Sequence, residues 1–131
     1  MGTRSLTKVI EDGQIIVNMY RQFDGYPSGH GQELFNFLNG ITLVNGISGD
    51  EKRKIANGAG CLSAQIVAHF KKEPGGFYLY PASETDCGQD YEYLVEVTNA
   101  NTLRVTVISG DAELFKGTVA AFGEFCAKEG E

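Results

Sequence analysis

At 131 residues the chain is long enough for one domain with a proper core, and 42% hydrophobic against 21% charged residues argues against a disordered polypeptide. A formal net charge of −6 opposes non-specific binding to DNA, RNA or anionic membrane surfaces, although a local basic pocket can still hold one anion. Three separated cysteines, Cys61, Cys87 and Cys126, argue against a disulfide framework and lack the spacing of a zinc site, so we expect a reducing cytoplasm and neither metal nor cofactor.

The N-terminus lacks the apolar core of a signal peptide, and no run approaches the roughly 18 apolar residues of a membrane span. The expectation is a soluble, intracellular protein forming a single globular domain over residues 1–131. Leu6 to Ile10 reads as a strand, Asp12-Gly13 as a hairpin turn, and Gln14 to Phe23 as a second, longer strand. On that strand Ile15, Val17, Met19, Arg21 and Phe23 share the more apolar face. Gln32 to Leu38 has helical spacing in Leu34, Phe35 and Leu38, and Asn39-Gly40 ends it.

Ile41 to Gly49 reads as loop, and Asp50 to Lys54 as a solvated helical turn whose basic triplet is too short to argue for nucleic acid. Ala59 to Lys72 is the clearest helix, with Leu62, Ile66 and Phe70 in its apolar stripe and Pro74-Gly75-Gly76 stopping it. Strands follow at Phe77 to Tyr80, Tyr91 to Thr98, Leu103 to Ile108 and Ala112 to Lys116, then a helix from about Thr118 to Lys128. That order predicts an α+β fold, a mostly antiparallel sheet of about six strands with helices packed on one face.

The unusual chemistry gathers between Tyr20 and Gly31. Strand-to-helix junctions offer free amide groups and a positive dipole end, which suits an anion. Arg21, Tyr26, Ser28, Gly29, His30 and Gly31 are therefore the candidate ligand-binding residues, joined by Arg4 if the hairpin register brings it near Arg21. Arginine can fork onto phosphate, tyrosine can stack on a base, and glycine lets backbone approach closely. The plainer reading is a fastened turn in which Asp24 caps backbone and His30 is exposed. The glycine pattern is neither a P-loop nor a dinucleotide fingerprint.

Met1 to Thr7, Met19 to Gly31, Gly60 to Phe70 and Gly76 to Pro81 resemble a family of small, functionally uncharacterised bacterial and bacteriophage proteins. The resemblance implies a single domain working in the bacterial host cytoplasm, and it transfers no catalytic residue. By analogy alone, phage proteins of this size often act by binding something of the host, including nucleotide signals of defence systems, which such a binder would sequester. The first expectation is thus a non-enzymatic binder of a nucleotide or other phosphorylated small molecule. An inhibitor of a host protein, acting through its acidic surface and exposed aromatics, is the second. A small hydrolase or transferase using Cys87 with His30 or His69 is the third, against which stands the plainer reading of a structural thiol. A homodimer or higher homo-oligomer is expected.

Overall fold

The computed structural model describes residues 2–46, 54–98 and 101–129. Two strands, β1 (Ser5–Glu11) and β2 (Gln14–Arg21), form a hairpin closed by Asp12 and Gly13, both at positive φ. A two-residue turn of that hand matches the twist of its flanking strands, which is why Asp-Gly marks it in the sequence. A single π-helical turn, Pro27–Gly31, then leads into α1 (Gln32–Leu38). The short strands β3 (Thr42–Val44) and β4 (Ile55–Asn57) pair in parallel as a separate small sheet. Next come α2 (Gly58–Phe70), β5 (Phe77–Leu79), β6 (Tyr91–Val97), β7 (Leu103–Ser109), β8 (Ala112–Gly117) and α3 (Val119–Lys128).

The six-stranded sheet has the order β5-β2-β1-β6-β7-β8, and every neighbouring pair is antiparallel except β1 with β6. The expected α+β fold is what the chain adopts. Helices cover the face that carries Val9, Met19, Tyr93, Val95, Val105 and Val107, which pack with Leu34, Leu38, Leu62, Ile66 and Phe122 in one core. On α3 Gly123 is buried under the Phe35 ring of α1, where a Cβ would lie 2.4 Å from that ring. Thr118 caps that helix, its hydroxyl accepting from the Ala121 amide at 3.2 Å.

The second face is covered differently. The segment between β5 and β6 crosses it, clamped by Asn18, whose amide donates to the carbonyls of Pro81 (3.1 Å) and Glu84 (3.0 Å). Beneath lie Leu6, fully buried, and the ion pair of buried Lys8 with half-buried Glu92 at 3.1 Å. Both faces of β1 are therefore shielded, as a strand with a parallel partner requires.

Two local expectations change. The strand carrying Arg21 ends there rather than at Phe23, because Asp24 adopts a positive φ and turns the chain away. Ile41 to Gly49 is not wholly loop, since β3 pairs with β4. The helical turn expected at Asp50 to Lys54 falls largely on residues 47–53, outside the described residues; Lys54 itself is not helical.

Candidate functional site

Arg21 ends β2 on the helix-covered face and is buried. Its guanidinium lies 5.2 Å from the Phe23 ring centroid and 5.0 Å from that of Phe77, so two aromatic rings stabilise the cation. Nη1 donates to His30 Nδ1 at 3.2 Å. Because arginine only donates, His30 Nδ1 accepts and its proton sits on Nε2, which donates to Thr7 Oγ1 at 2.7 Å. Nη2 meets Glu33 Oε2 at 3.2 Å, and that glutamate is half exposed.

His30 has no exposed surface, and its ring packs on Phe70 (4.9 Å) and Tyr93 (5.1 Å). Burial, and then the Arg21 charge, lower its pKa to about 3. His30, expected to be a ligand-binding residue or, in the plainer reading, exposed, is instead a buried neutral ring that orients Arg21. Its sequence position concealed this because the π-helical turn swings residue 30 inward.

Four amides of that loop have backbone partners. His30 N–H donates to the Asp24 carbonyl (2.8 Å), Gly25 N–H to Thr3 (2.9 Å), and Gly29 and Gly31 N–H to Tyr26 (2.9 and 3.4 Å). Tyr93 Oη pins the loop to the sheet by donating to the Gly25 carbonyl at 2.7 Å. The glycines serve packing here: a Cβ on Gly29 would lie 2.6 Å from the Asp24 oxygen, and one on Gly31 2.8 Å from Cys126 Sγ. Tyr26 donates to Asp24 at 3.3 Å, and Ser28 is exposed.

Arg4 does not join Arg21. Its guanidinium lies beside Gly88, whose Cβ would come within 2.9 Å of Nη1, in the segment crossing the sheet's other face. Side chains alternate along an extended chain, so Arg4 points away from the face that Ser5 and Arg21 share.

Where the rings that hold Arg21 reach the surface, the structure has an open cleft of about 380 Å³. Phe23, Phe70 and Phe77 line it, together with Lys72, Glu73 and the backbone of Gly76. Gly76 has φ +76, and a Cβ there would press to 3.1 Å from Phe23, so glycine keeps the cleft's wall thin. Lys72 follows the end of α2 and donates to the Ala68 carbonyl at 3.0 Å. His69, one turn back, packs on Phe37 at 4.8 Å; its pKa is lowered by burial and by Lys72, against an opposing pull from Glu33. Glu33 thus pairs with Arg21 and, like Lys72, acts on the charge of His69.

Sequence reasoning found Arg21 and missed Glu33, Lys72 and the three phenylalanines. The available signal was Phe70-Lys71-Lys72-Glu73-Pro74-Gly75-Gly76-Phe77, two lysines and a glycine turn between aromatic residues. Those lysines read as a helix C-terminus, which is also true of their geometry.

Cys87 lies on the segment over the opposite sheet face from His30, in the neighbourhood of Lys8 and Glu92. Burial raises its pKa first, followed by Glu84 and Asp86, so the thiolate that would act as nucleophile is disfavoured. The sheet separates this thiol from His30. Among the described residues no group of His, Cys, Asp and Glu could hold a metal ion, and no helix is long and apolar enough to cross a membrane.

Fold and site together define a small α+β protein with an aromatic-floored cleft that Lys72 and Glu73 also line. Comparison of the chain with protein-family models, curated proteins and solved structures finds no match. The functional reading therefore rests on the geometry of the site.

Proposed function

We propose that this protein is a non-catalytic binder of a phosphorylated small molecule bearing a flat ring, of the nucleotide class, held in the cleft beside Arg21. One observation carries the reading: a cleft lined by Phe23, Phe70, Phe77 and Lys72 shares two of its rings, Phe23 and Phe77, with the Arg21 guanidinium packed on them. A ring can stack on the phenylalanines while its phosphate meets the cations. The cleft's volume falls in the range of small-molecule sites. This moves the ligand from the junction loop, whose Gly25, Gly29, His30 and Gly31 amides are engaged, to the cleft lined by Phe23 and Phe77. A binder without turnover acts by lowering its ligand's free concentration, and we assign this one to sequestration of a nucleotide signal in a bacterial cytoplasm.

Native mass spectrometry of protein purified from bacterial cells is the test, followed by titration with a nucleotide panel. A co-purified phosphorylated adduct that Lys72→Glu abolishes is expected. An adduct-free protein that ignores the whole panel at millimolar concentration would sink the reading.

A second reading, of contact with another protein, follows from a different observation. Tyr78, Leu79 and Tyr80 are exposed in succession on and beside the edge strand β5, with Phe23 exposed nearby. Such a patch is a surface for self-association or for a host protein.

A further inference from the structure

Taking the cleft beside Arg21 as the anion site, we infer that Glu33 is an internal stand-in for the ligand's phosphate, occupying Arg21 in the free protein and displaced on binding. The inference rests on the binding reading above and adds its regulation.

The guanidinium shows which edge is held in reserve. Nη1 is committed inward to His30, which is itself anchored on Thr7. The opposite edge carries Nε–H and an Nη2–H side by side, the pair that takes a carboxylate or phosphate through two parallel bonds. Glu33 uses only half of it, through Oε2 on Nη2 at 3.2 Å. Arg21 Nε is buried and has no hydrogen-bond partner among the described residues. A buried donor left unmade is costly, so a group that satisfies both nitrogens gains what Glu33 leaves unclaimed.

Burial is lopsided in the way an exchange requires. The Arg21 side chain is 6% exposed and Glu33 49% exposed. The cation is fixed by two rings and a histidine, while its counterion sits at the surface of α1. An exposed carboxylate is weakly held, because water competes for it and its side chain gains rotamer freedom on release. Displacing it leaves the Arg21 scaffold untouched. Phosphate keeps the site's charge neutralised when the carboxylate leaves, so the exchange does not strand a buried cation.

The consequence is selectivity against weak anions. A ligand must outcompete a tethered carboxylate, which a forked phosphate anchored by a stacked ring can do and a singly bonded anion cannot.

Calorimetric titration with adenosine 5′-monophosphate, inorganic phosphate and adenosine, on wild type, Glu33→Gln and Glu73→Gln, tests the idea. Glu73 lines the cleft and does not pair with Arg21, so its variant removes the same charge without freeing Arg21. Glu33→Gln is expected to bind the monophosphate roughly 2- to 5-fold more tightly than wild type, the affinity equivalent of losing a weak competing ion pair. Glu73→Gln should gain clearly less, and adenosine should show little preference among the three proteins. Thermal unfolding of each variant verifies that the fold is intact. Equal tightening in both variants, or none in Glu33→Gln while wild type binds, overturns the displacement and leaves the site reading standing. Failure of wild type and Glu33→Gln alike to bind either phosphate compound overturns both.

Discussion

Histidine 30 shows how much one buried ring can fix. With Arg21 donating to Nδ1 and Nε2 donating to Thr7, His30 must stay neutral for both bonds to survive. Its pKa is about 3 in the folded protein, against 6.5 ordinarily. Below the ordinary value the unfolded chain takes up a proton that the folded chain refuses. The contribution of neutral His30 is therefore complete above about pH 6.5 and declines by about 1.4 kcal/mol per pH unit as pH falls towards the folded value. His69, also lowered, acts in the same direction, so the two must be separated by mutation. Urea unfolding at about pH 7.5 and about pH 5 should show wild type losing roughly 2 kcal/mol through His30 alone. His30→Gln should lose that much less over the same interval. An undiminished loss in the variant would mean that His30 titrates in the folded state.

At the scale of elements, β5 is the exposed edge of the sheet beside β2, and edge strands invite pairing with other chains. Lys71, just past α2, prevents this. Its ammonium donates to the Gly75 (3.0 Å) and Phe77 (2.9 Å) carbonyls and lies 5.5 Å from the Tyr78 ring centroid. An incoming strand would have to displace a charged donor, so contacts at this edge are restricted to side chains. Lys71→Thr is expected to increase light scattering with concentration relative to wild type, whereas Lys72→Thr, which empties the cleft mouth instead, should not. Identical scattering from the two variants would show that Lys71 is no guard. The Lys-Lys pair was visible in the sequence, but not the division of labour between its members. The same holds more widely. Strand and helix spans such as Gln32–Leu38 and Ala112–Gly117 were legible because periodicity and turn residues are local signals. The parallel β1–β6 pairing, the inward turn of His30 and the partnership of Glu33 with Arg21 arise from contacts between distant segments, which no local pattern encodes.

For the molecule as a whole, the acidic sequence and the aromatic end of β5 bear on assembly. Leu79 is 58% exposed, and a recess of about 200 Å³ beside it is lined by Met19, Val67 and Phe77. Tyr20, Tyr78 and Tyr80 form a ring cluster at the same end, with centroids 6.2 and 5.7 Å apart from Tyr20. A two-fold axis beside this end would bury the apolar side chains of both copies at once, as isologous dimers do. Sedimentation velocity over a wide concentration range should show a dimer that Leu79→Asp converts to monomer without loss of thermal stability. A wild-type monomer throughout would assign the patch to a different protein or to none.

The central strand has a further consequence, in time rather than in space. β1 is made first, yet one of its edges is filled only by β6, so that Lys8 finds Glu92 across 84 positions of sequence. Non-local pairing of this kind slows folding, because a long loop must close before the contact returns any energy. On the ribosome the hairpin of β1 and β2 can form early, but it keeps an open edge until residues beyond β6 have emerged. Through that interval β1 is a strand with a free edge. The nascent chain is thus most exposed to misassociation at its own centre, and any premature stop before Tyr91 would leave it there permanently.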